Sequence, residues 1–393
     1  MKNSKKLVAL LLSLSMVFAL AACGGGSTAS PSPSASQPAP TESAPAETTP
    51  AAADFSVAMI TDYGDITDQS FNQTTYEACK AYCDANGVPF NYYKPAGDST
   101  AERVAMVEAA ADEGYNVIVM PGYAFGETIT QVAEEYADVT FIALDVGEGD
   151  LGDYTLPSNV YCAVYQEELC GYMAGYAAVK LGYTHLGFLG GMAVPAVVRY
   201  GYGFVQGADA AAVEAGADVT VEYVYGNQFF GDADITAYMD NWYQTLGVQA
   251  VFACGGGIYT SAAEAAAKVN AKVIGVDVDQ AGIIDGAYGA GMTVTSAMKG
   301  LAPTVQHMLG EVAAGNFANY GGKIETLGLV SGDDPTANYV QIPMETTQWG
   351  DGFTQDDYKT LVKAMFDGTV TVSNDITAMP AVTITVNEYG NIK

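Results

Sequence analysis

The sequence predicts an α/β protein with two lobes, each a parallel sheet covered by helices on both faces. Beyond Asp54, short β-rich runs alternate with Ala-rich helical stretches, and this order is typical of parallel sheets. About ten predicted strands fall into two sets. The roughly 340 residues after the N-terminal segments also exceed the usual size of one domain, which favours two lobes.

The predicted elements follow one another closely along the chain. The strands are at 55–60, 90–93, 117–120, 139–144, 185–189, 219–224, 250–253 and 273–276. The helices are a first one that ends near Asn86 and others at 101–113, 127–136, 167–180, 202–215, 235–246 and 260–270. The pattern breaks near 157–163 and 289–296, and a third break lies near 327–331. These breaks are the predicted lobe crossings, which assign 54–160 and about 292–327 to the N-terminal lobe, and 161–291 and about 328–393 to the C-terminal lobe.

The N-terminus predicts a lipid-anchored protein. Three lysines precede an apolar run at 7–22, and Leu20, Ala21 and Ala22 stand directly before Cys23. This pattern is typical of a secretory signal with a lipobox, so we expect removal of 1–22 and diacylation of Cys23 on the extracytoplasmic face of the cell membrane. An uncleaved membrane helix is the alternative, but the run is short for a span of about 20 residues and leaves Cys23 unexplained.

Residues 23–53 are almost wholly Gly, Ser, Thr, Pro, Ala and Gln. A segment of this composition cannot bury a core, so we predict an extended tether between the lipid and the folded body.

Charge and residue usage exclude several classes of function. The formal charge is −30, and without the signal segment twelve basic residues face forty-five acidic ones. Such a surface repels nucleic acid. The two histidines, His185 and His307, stand far in sequence from any cysteine, so neither a zinc site nor a Ser-His-Asp or Cys-His arrangement is indicated. We therefore expect no enzyme, no cofactor and no metal. The cysteines predict buried thiols, and a disulfide stays open.

Polar residues gather where predicted strands end. Asp62, Asp145 and Asp277 each follow an apolar run, and so do the segments 227–230 and 255–257. Strand ends of open α/β sheets are where ligands bind, although an Asp at such a place is more often a helix cap or turn former. The coincidence at several strand ends indicates one cleft. The stretch 62–73 offers carboxylates, an amide and an aromatic ring but no basic residue, which suits a neutral ligand with hydroxyls and a flat face.

Two other interpretations of these motifs fail on spacing. The run Gly255, Gly256 and Gly257 lacks the Lys of a phosphate-binding P-loop, and we interpret it as a tight turn that lets a ligand approach the backbone. The acids Asp62, Asp65 and Asp68 do not alternate as a calcium loop requires.

Four blocks resemble the basic membrane protein family of substrate-binding lipoproteins, which are purine nucleoside receptors of ABC transporters. They are Asp62-x-Gly64-x-x-x-Asp68-x-Ser70-Phe71-Asn72, together with 141–145, 275–280 and 293–299. The resemblance implies a type I periplasmic-binding fold that closes on a nucleoside, a monomer, and permease and ATPase partners. It also implies a base sandwiched between Phe71 and one aromatic of the second lobe. Asp62, Asn72 and Asp145 then address the base or its surroundings, and Asp277, Lys299 and the loop with Gly255 and Gly256 hold the ribose.

The chain departs from the family pattern at the second stacking position. The segment 226–232 offers both Phe229 and Phe230, and we favour Phe230 because it stands directly before Gly231 and Asp232. Core packing is the commoner fate of either ring. Two rivals share the same features: a ribose- or galactose-type sugar receptor, and a ligand-sensing lipoprotein without a transport role.

Overall fold

The computed structural model describes residues 55–393. The predicted signal segment 1–22, the lipidation site Cys23 and the tether at 23–53 lie outside the described residues. Within the described part of the chain, no helix is both long and apolar enough to cross a membrane.

Thirteen strands form two sheets in the described residues. The six-stranded sheet has the order β11-β5-β4-β3-β1-β2 and is parallel throughout. The seven-stranded sheet has the order β12-β10-β9-β8-β6-β7-β13 and is parallel except for β12, which runs antiparallel to β10. The strands are β1 (Val57–Ile60), β2 (Phe90–Tyr93), β3 (Val117–Pro121), β4 (Thr140–Leu144), β5 (Val160–Tyr165), β6 (His185–Gly190), β7 (Thr220–Tyr225), β8 (Ala250–Cys254), β9 (Lys272–Asp277), β10 (Thr293–Lys299), β11 (Lys323–Leu327), β12 (Val340–Gln341) and β13 (Thr385–Asn391).

Helices connect these strands and cover the sheets. They are α1 (Phe71–Asn86), α2 (Thr100–Asp112), α3 (Phe125–Val132), α4 (Glu148–Leu151), α5 (Glu167–Lys180), α6 (Pro195–Ala215), α7 (Ala233–Asn241), α8 (Tyr259–Ala267), α9 (Ala281–Tyr288), α10 (Leu301–Ala313) and α11 (Gln355–Phe366). We call the six-stranded sheet with its helices the first lobe and the seven-stranded sheet with its helices the second lobe. The predicted α/β class with two parallel-sheet lobes is confirmed.

The predicted elements agree with the structure to within a few residues, with one larger difference. The helix predicted at 202–215 begins at Pro195, where the fixed φ of proline suits the first helical position. Gly201 and Gly203 weaken the helical signal of this stretch in the sequence. Tertiary packing explains both glycines: a Cβ at Gly201 would overlap Tyr223, and Gly203 belongs to the helix crossing described below.

Central strands are buried on both faces, which explains their uninterrupted apolar runs. Every residue of β1, β3 and β8 is buried. Helix starts are fixed by short polar side chains. Ser99 accepts the backbone N–H of Glu102 at the start of α2, and Asp232 accepts two N–H groups at the start of α7.

The chain crosses between the lobes three times, and two of the predicted crossings are wrong. Residues 157–163 lead into β5, which lies in the first lobe, and 289–296 lead into β10, which lies in the second. In both places the break in the pattern marks the turn before a strand, and the chain changes lobe only after that strand. We therefore place the boundaries after Tyr165 and Lys299. The third crossing runs from the end of β11 at Leu327 to β12, close to its predicted place.

The three crossing segments are hydrogen-bonded to one another. The Gln166 N–H donates to the carbonyl of Leu327 at 3.0 Å, and the Gly300 N–H donates to the carbonyl of Tyr339 at 2.7 Å. The Tyr339 N–H donates in turn to the carbonyl of Gly328 at 3.0 Å. The first and second crossings are thus each hydrogen-bonded to the third.

Helices α5 and α6 cross at backbone contact in the second lobe. Four glycines make this approach: a Cβ atom at any of them would overlap a carbonyl oxygen of the other helix, at Gly171, Gly175, Gly203 and Gly207. Interiors are packed too densely to absorb such an overlap without moving a helix. The crossing therefore fixes residues 168–175 of α5 against residues 200–207 of α6.

We expect Gly175→Ala to destabilise the protein by about 1 to 3 kcal/mol, because the added methyl group collides with the carbonyl of Phe204. Chemical denaturation measures this free energy of unfolding. The control is Gly310→Ala in α10, where a Cβ meets no atom within 4 Å and where alanine should stabilise the helix by about 0.5 to 1 kcal/mol. Equal effects of the two substitutions would contradict the crossing described here.

Candidate ligand-binding site

A cavity of about 440 Å³ lies between the lobes, at the carboxyl ends of their strands. All ten residues predicted to bind ligand line it: Asp62, Phe71, Asn72, Asp145, Phe229, Phe230, Gly255, Gly256, Asp277 and Lys299. The volume is within the range of about 300 to 1,000 Å³ found for small-molecule sites.

Asp62 forms one wall of the cavity. Its Oδ1 accepts the backbone N–H groups of Tyr63 at 2.7 Å and Gly64 at 2.8 Å, which fixes the carboxylate in the loop after β1. Burial raises the pKa of Asp62, and the two N–H donors counter part of that rise. Gly122 allows the close approach, since a Cβ there would lie 3.1 Å from the carboxylate.

Asp68 holds the start of α1 and thereby places Phe71 and Asn72. Its carboxylate accepts the backbone N–H groups of Ser70, Asn72 and Gln73 at 2.9 to 3.0 Å. The Asn72 side chain donates to the same carboxylate at 3.2 Å. Within residues 55–393 the buried Asn72 Oδ1 has no hydrogen-bond partner, so the amide presents a free acceptor.

Lys299 lies among three carboxylates drawn from both lobes. Its Nζ is 2.5 Å from Asp145 Oδ2, 3.5 Å from Glu167 Oε1 and 3.8 Å from Asp277 Oδ1. Arg199 Nε donates to Glu167 Oε2 at 2.6 Å. We call these five residues the Lys299 cluster; it contains three carboxylates and two cations.

The excess carboxylate is reflected in the pKa values. Burial raises the pKa of Asp145 to about 6, against the opposing pull of Lys299, and the charge of Glu167 adds to the rise. Burial alone lowers the pKa of Lys299, but the surrounding carboxylates outweigh it and raise the pKa above its usual value. Lys299 is therefore charged at neutral pH. A further hydrogen-bond donor would stabilise the ionised form of Asp145. Within the described residues its buried Oδ1 has none.

Two of the cluster's carboxylates sit on strained backbone. Asp145 has φ 60° and Asp277 has φ 64°, both in the left-handed region that non-glycine residues rarely adopt. Each residue ends or directly follows a strand, β4 and β9. Strain of this kind persists where surrounding contacts fix the conformation, and it concentrates at binding sites.

Phe229 and Phe230 have different surroundings. The Phe229 ring rests on Gly191 and Gly255, where a Cβ at Gly191 would overlap the ring and one at Gly255 would lie 3.0 Å away. Gly255 and Gly256 have φ of 153° and 51°, as expected for the predicted tight turn. Phe230 is 57% exposed and lines the cavity. Of the two rings, that of Phe230 is therefore the one whose face is available for contact with a ligand.

Several lining residues were not predicted as ligand contacts. Tyr63 and Tyr123 stand just after β1 and β3. Their position after a strand is the same signal that identified Asp62 and Asp145, so the sequence could have indicated them. Tyr200 lies on α6 and its hydroxyl donates to Asp277 Oδ1 at 3.4 Å. Glu167 and Arg199 are outside the cavity lining but belong to the Lys299 cluster, and no local sequence signal distinguishes them from other helical residues.

The described residues contain no group of three or more His, Cys, Asp or Glu side chains placed to hold a metal ion. The five cysteines among them are buried free thiols: Cys79, Cys83, Cys162, Cys170 and Cys254.

A family model described as "ABC transporter substrate-binding protein PnrA-like" and named Bmp matches residues 55–333, more than half of the chain. The chain belongs to the Bmp family. The resemblance predicted from the sequence is thereby confirmed. Members of the Bmp family are substrate-binding components of ABC transporters rather than enzymes, so this chain has a small-molecule ligand and transporter partners.

Two relatives and one solved structure are similar to this Bmp chain over most of its length. An "ABC transporter nucleoside-binding protein BmpA" from Lactococcus lactis subsp. cremoris (strain MG1363) is 26% identical over 298 residues, covering 71% of this chain and 80% of the relative. A "CD4+ T-cell-stimulating antigen" from Listeria monocytogenes serovar 1/2a is 28% identical over 292 residues, covering 70% and 78%. A solved solute-binding protein from Aeropyrum pernix K1 has a TM-score of 0.61 at 21% identity, covering 82% and 88%, which supports the fold.

Proposed function

We propose that this protein captures nucleosides, purine nucleosides above all, in the cavity between its lobes and delivers them to an ABC importer. The observation that carries the proposal is that one cavity combines two accessible phenylalanines with buried hydrogen-bond acceptors that lack partners. The printed name of the Lactococcus lactis relative agrees with this ligand class.

The aromatic rings supply the flat contacts. In the proposal the base stacks between Phe71, at the start of α1 in the first lobe, and Phe230, in the loop before α7 in the second lobe. Lys299 Nζ lies over the Phe71 ring, 4.7 Å from its centroid, which is within the distance of a cation–π interaction. Phe229 serves as the support of the loop, since its ring already fills the space above two glycines.

The acceptors supply the selectivity. Asn72 Oδ1, Asp145 Oδ1 and the Asp62 carboxylate are buried acceptors that an N–H or O–H donor of a ligand can satisfy. A purine base combines N–H donors with a flat face for the two rings, which a simple sugar does not. The Asp277 carboxylate can accept the two ribose hydroxyls, with Lys299 beside it as a donor. The loop of Gly255 and Gly256 leaves room for the sugar to approach the backbone.

The same charges disfavour nucleotides. The one lysine of the cavity lining is already bonded to Asp145, and Asp62, Asp65 and Asp68 line the cavity as well. A phosphate would face several carboxylates where the low dielectric strengthens repulsion.

Anchoring and partners complete the proposal. A protein lipidated at Cys23 would work on the extracytoplasmic face of the cell membrane as a monomer. It would meet the permease there, and the ATPase would act from the other side. Two uncharacterised relatives from Pyrococcus carry the printed name lipoprotein, which agrees with such an anchor.

The test of this proposal is a thermal-shift series on residues 23–393 with adenosine, guanosine, inosine, cytidine, uridine, ribose and galactose. We expect a purine nucleoside to raise the melting temperature, because a ligand that binds only the folded state stabilises it. The 5′-monophosphate of the best nucleoside, at equal concentration, should leave the melting temperature unchanged. Stabilisation by ribose or galactose alone would replace the proposal with a sugar receptor, and tight binding of the monophosphate would refute the neutral ligand.

Substitution of the two phenylalanines of the second lobe should have different effects. Phe230→Ala should weaken nucleoside binding by roughly five- to a hundred-fold at nearly unchanged stability, since stacking is worth about 1 to 3 kcal/mol per base. Phe229→Ala should chiefly lower stability, because it empties the space above Gly191 and Gly255. Calorimetric titration and denaturation of both variants decide the matter, and a reversed pattern would make Phe229 the stacking ring.

Nucleoside affinity should rise with pH between 5 and 7. The ligand is expected to donate to ionised Asp145, whose pKa is about 6, so at lower pH binding must first remove a proton. Affinity then falls by up to about ten-fold for each pH unit below that pKa. Titrations at pH 5, 6 and 7 measure the slope, and Asp145→Asn should remove most of it. A flat profile in the wild-type protein would exclude this role for Asp145.

A further inference from the structure

Two hydrogen bonds join the loop before α1 in the first lobe to the segment after β9 in the second. Ser70 Oγ donates to Asp277 Oδ2 at 2.5 Å, and Gln280 Nε2 donates to the carbonyl of Gln69 at 3.0 Å. Ser70 and Gln280 are completely buried, and Asp277 is 5% exposed. The Ser70–Asp277 bond is therefore made away from solvent, where it contributes more than at a surface, and the Gln280–Gln69 bond is partly buried.

Ser70 is free to make its bond because another residue caps α1. It stands at the N-cap position, where a serine hydroxyl usually accepts a backbone N–H of the first turn. In the described structure Ser70 makes no such bond, and the Asp68 carboxylate accepts the N–H groups of Asn72 and Gln73 instead. The Ser70 hydroxyl points across the cleft, away from its own helix.

Gln280 is held in one orientation by its own lobe. Its backbone N–H donates to Ser296 Oγ at 3.2 Å, and its Oε1 accepts the Val276 N–H at 2.9 Å. Gly275 leaves room for this fold of the side chain, since a Cβ there would lie 2.9 Å from Oε1. The remaining amide donor is thus fixed toward the other lobe.

The acceptor in the first lobe is fixed as well. Gln69 has φ 56°, an unusual conformation for a residue other than glycine, and its N–H donates to Gln73 Oε1 at 3.1 Å. Donor and acceptor are both preset on their own lobes, so little freedom is lost when the lobes meet.

We propose that Ser70 and Gln280 form an interlobe latch that holds the lobes together and so sets the lifetime of the bound ligand. Separation of the lobes breaks both bonds at once. Ser70 directly precedes Phe71 and Asn72, while its acceptor is Asp277, so the latch also fixes the spacing between the groups proposed for the base and for the ribose. Ser70 and Gln280 are positioning residues: they act through Phe71, Asn72 and Asp277.

The proposed latch depends on the proposed function only in the identity of the ligand. A ligand that binds the open form and is then enclosed leaves at a rate set by reopening, so loss of the latch raises the dissociation rate rather than slowing association. The population of closed, ligand-free protein should fall in the same variants. This second quantity is measurable without any ligand.

The experiment compares Ser70→Ala and Gln280→Glu with Ser99→Ala. Gln280→Glu keeps the acceptor for Val276 but replaces the donor to Gln69. Ser99→Ala is the matched control, because Ser99 caps α2 by accepting the Glu102 N–H. Spin labels at Ala85→Cys in α1 and Val213→Cys in α6 report the distance between the lobes.

Ser70→Ala should lengthen the mean distance between the labels in ligand-free protein. It should also speed dissociation of the best purine nucleoside by about ten- to a hundred-fold, the equivalent of one hydrogen bond to a charged group. Gln280→Glu should act in the same direction. Ser99→Ala should lower the melting temperature while label distance and dissociation rate stay at their wild-type values.

Unchanged label distances in both latch variants would overturn the proposal, and so would slower association with an unchanged dissociation rate. Faster dissociation without any change in label distance would also overturn it, because Ser70 would then act on Asp277 within a lobe pair that stays closed. If no nucleoside bound the wild-type protein, the proposed function would fail while the label distances still decided the latch.

Discussion

The structure depends on the ion pairing of Lys299 with carboxylates that come from different parts of the chain. Asp145 follows β4 of the first lobe, whereas Glu167 begins α5 and Asp277 ends β9. Burying such charges costs free energy that only close pairing recovers, and a cluster with a missing member would leave an uncompensated charge. The pair of Lys299 with Asp145 consequently stabilises the arrangement in which the two lobes lie together. The cluster has one more carboxylate than cations, and within the described residues Asp145 Oδ1 accepts no hydrogen bond. In our proposal the ligand donates to this oxygen.

The candidate site combines carboxylates that are fixed by their surroundings with one exposed aromatic ring. Asp62 and Asp68 are fixed by backbone N–H donors, and the backbone at Asp145 and Asp277 is held in a strained conformation. Phe230 differs, because its ring is mostly exposed and its loop is supported by Phe229 beneath it. In our proposal the polar groups are therefore in place before the ligand arrives, and the exposed Phe230 ring closes the stack from the second lobe.

Much of the fold and part of the site could be predicted from local sequence. Asp62, Asp145 and Asp277 were found because a polar residue after an apolar run marks a strand end, and parallel strands bring such ends together. Three helical residues were not found, since helix rotation and the α5–α6 crossing place them: Tyr200 lines the cavity, and Glu167 and Arg199 belong to the Lys299 cluster. The lobe boundaries were misplaced because a turn before β5 or β10 looks the same whether or not the chain then changes lobe. The bond from Ser70 to Asp277 spans 207 residues of sequence and has no local signal.

The glycine crossing of α5 and α6 has a consequence for how ligand preference could change in evolution. One rigid pair of helices carries Glu167 at the start of α5 and Arg199 and Tyr200 in α6, since the two backbones touch. A larger residue at any of the four glycines would displace all three side chains together and disturb the Lys299 cluster. New ligand preferences are therefore more accessible through the loop that carries Phe230. The close contact of α5 and α6 leaves little room for substitution, whereas the exposed loop at Phe230 leaves more.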